Sequence, residues 1–249
     1  MTPVAISHPT FGVAMCGRFT LRTPQSVLVT QFALDAEPTL FPRYNIAPSQ
    51  PVAVVRASSQ EPAGALRELV KLRWGLVPSW AQDPSIGNQL INARSETAAV
   101  KPAFRSAMRH RRCLIPADGF YEWKKIGKQK QPYFIRRPDD KPFAFAGLWE
   151  RWTDPEGRPL ETCTILTTDA NELLRPLHIR MPVIVEPADY TAWLDPSQTD
   201  PDRLRTLFAS LTADQLVTSP VSTIVNSPAN DDPRCLSPAE EEKSLFDSP

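Results

Sequence analysis

Apolar and polar positions alternate in short runs along most of the chain, and few stretches hold a helical period for long. Residues 51–56 and 68–74 read as strands. A denser series follows at 113–116, 119–124, 132–136, 143–152, 162–168 and 182–185, with 217–225 as a final strand. Helical spacing is confined to 25–34, where Val27, Leu28, Gln31 and Phe32 recur after Thr23-Pro24, and to 95–110, interrupted at Pro102. Shorter helical segments are expected at 171–177, 187–194 and 201–211. Residues 43–49 and 73–80 are polar-aromatic and read as shaped loops. Strands without a regular βαβ rhythm predict an α+β fold: a single compact domain with a curved, barrel-like antiparallel β core flanked by helices. The domain is expected at 15–236. Residues 1–14 read as a disordered extension or a misassigned start, and 237–249 as a flexible acidic tail.

Composition sharpens this picture. Proline is 27 of 249 residues and glycine only 9, which favours short elements and fixed loops over long helices. No apolar run approaches the ~20 residues of a membrane-spanning helix. The first 14 residues hold no Lys or Arg, so they make a poor signal peptide, and a cytoplasmic, nucleoid-associated protein is expected. Cys16, Cys113, Cys163 and Cys235 are far apart, and the only histidines are His8, His110 and His178. That spacing argues against a zinc ribbon, a disulfide scaffold and a His-rich metal site; no metal and no cofactor is expected.

The formal net charge of zero hides a split. Residues 1–185 carry 24 basic and 16 acidic side chains, whereas 186–249 carry 4 and 12. The basic part has two clusters, Lys101 to Arg112 and Lys124 to Arg137, with Phe104, Phe120, Tyr121, Trp123, Tyr133 and Phe134 close by in sequence. Cations interleaved with aromatics suit a single nucleic-acid strand; a solvated charged face beside core aromatics fits the same pattern.

Cys16 directly follows Met15. If Met15 is the working start and is removed, Cys16 becomes a 1,2-aminothiol able to condense with an aldehyde, first as an imine and then as a thiazolidine. With an α-amino pKa of about 8 and a thiol pKa of about 8.5, both groups are partly nucleophilic near neutrality. A buried, inert Cys in a first strand is the alternative. Asn92 and Ser95 fit either a helix cap or, with Arg94, contacts to a phosphate or sugar. Glu122 sits among aromatics, where burial would raise its pKa toward acid–base work; a salt bridge to Lys124 or an Arg is the other reading. His178, beside Arg180 at the mouth of a strand, is either structural or catalytic. Spacing alone does not bring Cys16, Asn92, Glu122 and His178 together.

The ordered segments Met-Cys-Gly-Arg-Phe, Arg-Tyr-Asn-Ile-Ala-Pro, Arg-Trp-Gly-Leu-Val-Pro-Ser-Trp, Asn-Ala-Arg-Ser-Glu-Thr, Arg-Arg-Cys-Leu-Ile-Pro-Ala-Asp-Gly-Phe-Tyr-Glu-Trp, His-Ile-Arg-Met-Pro and Val-Asn-Ser-Pro resemble the SOS response-associated peptidase family over roughly 15–236. The resemblance implies a monomeric sensor of abasic sites in single-stranded DNA that captures the open-chain sugar aldehyde as a thiazolidine cross-link. It implies Cys16 as nucleophile, Glu122 as proton shuttle, His178 in sugar ring opening and reversal of the link, and Asn92 in positioning the sugar. It further implies phosphate contacts from Arg18, Arg94 and Arg180, a DNA path lined by Asn45, Pro48, Trp74 and Trp123, and a backbone contact near Thr167. The family's Cys is normally residue 2, but here it is residue 16. Either translation begins at Met15 or residues 1–15 are removed, and self-cleavage before Cys16 would suit the family name. Two other functions fit the residues: a Cys-dependent hydrolase acting on another protein, and a non-catalytic single-strand binder.

Overall fold

A computed structural model describes residues 16–58, 67–208 and 211–239. In chain order the elements are β1 (Phe19–Leu21), α1 (Gln25–Phe32), β2 (Arg43–Ile46), β3 (Pro51–Ala57), β4 (Arg67–Trp74), β5 (Asn92–Arg94), α2 (Ser95–Ala98), α3 (Arg105–His110), β6 (Arg112–Ala117), β7 (Gly119–Ile126), β8 (Gln129–Arg136), β9 (Phe143–Thr153), β10 (Pro159–Asp169), β11 (Arg180–Pro182), β12 (Ile184–Val185), α4 (Tyr190–Leu194), α5 (Pro201–Arg205) and β13 (Val217–Pro220).

Five of these strands close on themselves. β3 pairs with β4 and β6, β6 with β9, β9 with β10, and β10 returns to β4. Closure leaves no free edge in the ring. Four of the five pairings are antiparallel, as the strand pattern predicts; β4–β10 is a parallel seam. β5 runs parallel beside β10, and β11 and β12 extend the ring on β10 and β9. A second sheet, in the order β13-β8-β7-β1-β2, packs on the barrel. Phe19 meets Trp74 and Phe145 edge-on at 5.3 and 5.6 Å, and Phe120 meets Phe143 and Phe145. Strand alternation sends Phe120 and Glu122 toward the barrel and Tyr121 and Trp123 to the other face, where they pack with Phe134, Val225 and Cys235.

β1 is only three residues long, so its place depends on more than its ladder. The buried Asp118 carboxylate accepts from the Thr20 hydroxyl, the Arg22 amide (2.5 Å), and the Thr23 amide and hydroxyl (2.9 and 3.1 Å). At the end of β4, Gly75 turns the chain with φ 128° against Gly87; a Cβ on either would lie 2.6 Å from the other's carbonyl oxygen. That contact folds the loop back, so that the buried Trp74 indole donates to Ile91 O at 2.8 Å.

Several expectations change. Residues 43–46 are a strand: the Tyr44 and Asn45 amides bond the Asp231 carboxylate, 186 or more residues away. Residues 171–177 form successive turns, with Asn171 Oδ1 accepting from the Leu174 amide; Pro176 cannot donate and disfavours a helical Arg175. The strand at 182–185 is two strands, because Val183 bonds Leu166 on one side and Ala146 on the other, passing the chain from β10 to β9. The final strand stops at Pro220, and Ser222 caps a 3-10 turn at Thr223–Asn226. The helical region after Pro201 is α5 followed by a 3-10 turn. Phe104, Phe120, Tyr121 and Phe134 are buried, so their closeness to cations is strand and helix alternation. Arg112 is buried too, donating to the carbonyls of Trp193, Met108, Arg109 and Asp195. Of the expected tail, 237–239 bond back to β13 and Ser222; residues 240–249, like the expected extension 1–14, lie outside the described residues.

Asp118→Ala is expected to lower stability by about 2–4 kcal/mol, because it strands several donors at once. A urea-denaturation midpoint within experimental error of the parent would overturn this role.

Candidate functional site

The Asp118 clip and the bond from the Tyr121 amide to Arg18 O (3.0 Å) set the residues before β1 against the middle of β7. The Cys16 backbone nitrogen therefore donates to Glu122 Oε1 at 2.9 Å. Both residues are buried, at 1% and 4% exposure, so the pair is desolvated. Burial pushes the Glu122 carboxyl up to about 7, against the opposing pull of backbone bonds from Cys16 and Trp123. Burial, helped by the Glu122 charge, pushes the Cys16 thiol well up. Cys16 has φ 38°, a left-handed conformation that L side chains rarely adopt. This arrangement places the nitrogen of a thiol-bearing residue against a carboxyl that titrates near neutrality, where it can both accept and donate a proton.

A second group flanks this pair. Arg18 donates to Asn45 Oδ1 and Val225 O, both at 2.9 Å, and lies 5.8 Å from the Trp123 ring. The Trp123 indole donates to Asn226 Oδ1 at 2.7 Å. Asn45, fully buried, spends its amide on the carbonyls of Val225, Ser227 and Asn230. Its expected place on the DNA path is corrected to that of a clamp on the 225–230 segment, while Pro48 is half-buried and Trp123 half-exposed.

A third group forms around β10. β5 carries Asn92 and the exposed Arg94, whose Cα partners are Ile165 and Thr167. Neither Asn92 nor Ser95 caps α2, which begins after Arg94 without a side-chain cap. Arg180 is buried and grips Glu96 through two bonds (2.7 and 2.8 Å), Asp169 (2.6 Å) and Thr167 O (2.7 Å). Its expected phosphate contact is corrected: the guanidinium is engaged inside the protein. Trp74 has no exposed surface and cannot line a strand of DNA, and Thr167 is equally buried, which leaves no surface there for the expected backbone contact. The Arg180 amide donates to His178 Nδ1 at 3.0 Å, so the neutral ring carries its proton on Nε2. Burial lowers the imidazole pKa and favours that neutral form. Trp74 links the centres, with its indole on Ile91 beside Asn92 and its ring on Phe19, near Cys16.

Three residues carry little local signal for the places the fold gives them. Asp118 stands four positions before Glu122, and nothing local marks its bonds to Thr20, Arg22 and Thr23, 95 to 98 positions away. Glu96 has no local signal for its bond to Arg180, 84 positions away. Trp80 is 59% exposed at the end of the segment whose first tryptophan is buried, and its place after Pro78 in a loop was the available clue. Among the described residues no group of His, Cys, Asp and Glu is arranged to hold a metal, and no helix is long and apolar enough to cross a membrane.

This architecture has known counterparts. The chain is similar to a solved protein of Bacteroides thetaiotaomicron, at 25% identity and a TM-score of 0.80, covering 90% of this chain and all of that one. A Bordetella bronchiseptica structure matches at 28% identity and a TM-score of 0.71, covering 83% of this chain and all of that one. In sequence the chain is 46% identical to the abasic site processing protein YoqW of Bacillus subtilis, covering 89% of this chain and 99% of that protein. It is 37% identical to the abasic site processing protein HMCES of Gallus gallus, covering 80% of this chain and 67% of the relative. The model of the family described as SOS response associated peptidase (SRAP) matches residues 15–228, and the chain belongs to that family.

Proposed function

We propose that this protein captures abasic sites in single-stranded DNA as a covalent thiazolidine through Cys16. The observation that carries the reading is the Cys16 nitrogen lying 2.9 Å from a buried carboxyl held near pKa 7. The similarity to proteins named for abasic site processing supports the same substrate. The amine of Cys16 adds to the aldehyde carbon of the open sugar. The resulting carbinolamine loses water to give an imine, and the thiol adds across the C=N bond to close the ring. One water leaves overall. Glu122 takes the proton released by the nitrogen and returns one to the departing hydroxyl; a group near half-protonation at neutral pH serves both directions. Once Cys16 carries a free ammonium, that charge draws Glu122 downward from this value and keeps more of it ionised, ready to accept the first proton.

The reaction requires a chain that begins at Cys16, because an amide nitrogen is not a nucleophile. Initiation at Met15 with its removal meets the requirement. So does self-cleavage: thiol attack on the Met15 carbonyl breaks the peptide C–N bond, giving a thioester and the free Cys16 amine, and water then releases the Met15 carboxylate and the Cys16 thiol. The left-handed φ of Cys16 supports cleavage, since strain on the order of 1–2 kcal/mol disappears when no carbonyl precedes the residue. On the DNA side, Arg94 supplies a phosphate contact, and Arg18, Pro48, Trp123 and Trp80 supply the exposed or half-exposed path. Asn92 positions the sugar, and His178 donates a hydrogen bond from Nε2–H to the ring oxygen during opening and reversal.

Cys16→Ala is expected to abolish the heat- and detergent-stable adduct with an abasic oligonucleotide while changing non-covalent affinity less than about threefold; intact-protein mass spectrometry reads the adduct, which carries the loss of one water. An adduct surviving in Cys16→Ala removes Cys16 from the chemistry. Glu122→Gln slows capture. In the chain with Met15 attached, it also changes the pH dependence of folding. The folded carboxyl titrates near 7 and the unfolded one near 4.5, so the parent loses stability as pH rises through that window. Urea unfolding at about pH 5 and about pH 8 should therefore show the variant gaining on the parent at the higher pH. An unchanged difference would mean that Glu122 is ionised throughout.

A further inference from the structure

We propose that the β7–β8 hairpin beyond Trp123 is a phosphate-binding arm that holds the single-stranded DNA flanking the abasic nucleotide, an inference that rests on the function proposed above. Residues 123–137 contain no Asp or Glu. Lys124, Lys125, Lys128 and Lys130 are all exposed, and among the described residues none has a carboxylate partner. Lys125 lies directly opposite Lys130 in the ladder. Like charges in that relation weaken a hairpin. Ile126, 54% exposed, adds little packing in return. The lysines thus serve no internal contact, and their mutual repulsion is relieved by an anion.

Placement selects which anion. The arm continues the strand that holds Glu122, and alternation puts Lys124 on the Glu122 side and Lys125 on the Trp123 side. Each step of two residues advances about 7 Å along the strand, on the order of one extended nucleotide. A base stacked on Trp123 therefore has the Lys125–Lys130 pair one step further out. Lys128, beside the turn at Gly127, reaches a further step beyond. An unpaired strand supplies both a base face and regularly spaced phosphates, whereas an acidic protein segment supplies only charge.

The test uses the full chain with Lys124→Gln, Lys125→Gln, Lys128→Gln and Lys130→Gln combined, and an undamaged oligothymidylate read by fluorescence anisotropy across a salt series. At about 0.7 per phosphate contact, the slope of log K against log salt should fall by about 1.5–3, with at least a tenfold loss of affinity at low salt. Thermal stability should hold or rise, because the Lys125–Lys130 repulsion is gone. The control, Arg105→Gln with Arg109→Gln on the exposed side of α3, should leave the slope near the parent value. An unchanged slope in the lysine variant overturns the arm, as does a loss per removed charge matched by the control. Because the strand is undamaged, the outcome is independent of covalent capture. A parent that forms no abasic adduct removes the proposed chemistry and leaves the arm to stand or fall on its slope.

Discussion

The site depends on the Asp118 carboxylate. β1 is too short to hold itself in the sheet, and Asp118 collects the Thr20 hydroxyl and the Arg22 and Thr23 amides just beyond it. A buried carboxylate surrounded by donors is stable where an unpaired one is not. With β1 anchored between β2 and β7, the chain before it has one course, and the Cys16 nitrogen meets Glu122 at the end of that course.

Two acidic side chains four residues apart therefore have opposite fates. Asp118 is saturated with hydrogen bonds. Glu122 faces the barrel with backbone bonds alone to offset burial, and it rises to about 7. The contrast arises from how many donors reach each position, not from the residue type. It gives the fold one rigid anchor and one proton acceptor a strand turn apart, the second oriented by the first.

The charge split between the two parts of the chain has an internal meaning as well as an external one. Asp231 receives Arg43 and the β2 amides, Glu186 meets Arg137, and the backbone around 193–195 receives Arg112. The acidic C-terminal part packs beside the second sheet and pairs with Arg43 and Arg137 of the N-terminal part. The 225–230 carbonyls hold Arg18 and Asn45, so this segment forms a wall of the site. Among the described residues, exposed basic side chains without a carboxylate partner include the four lysines of the β7–β8 hairpin, Arg94, and Lys101, Arg105 and Arg109 on and before α3.

The barrel strands were legible from apolar runs in β3, β6 and β9 and from mixed apolar and polar positions in β4 and β10, and α1 because Leu28 and Phe32 recur four apart. The resemblance of ordered motifs supplied Cys16, Glu122 and His178 as candidates. Local pattern could not supply partners. β2 looks like a loop because its polar side chains are satisfied from 180 residues away. Trp74 and Trp80 look alike in one segment, and only the fold buries the first and exposes the second. Arg180 reads as a free cation until Glu96 and Asp169 close on it. The sequence alone determined which segments bury apolar surface and which residue types are available for chemistry, since both follow from side-chain character and local period. The tertiary structure decided which of those residues meet and how far each is desolvated, because hydrogen-bond saturation and burial are set by neighbours distant in the chain.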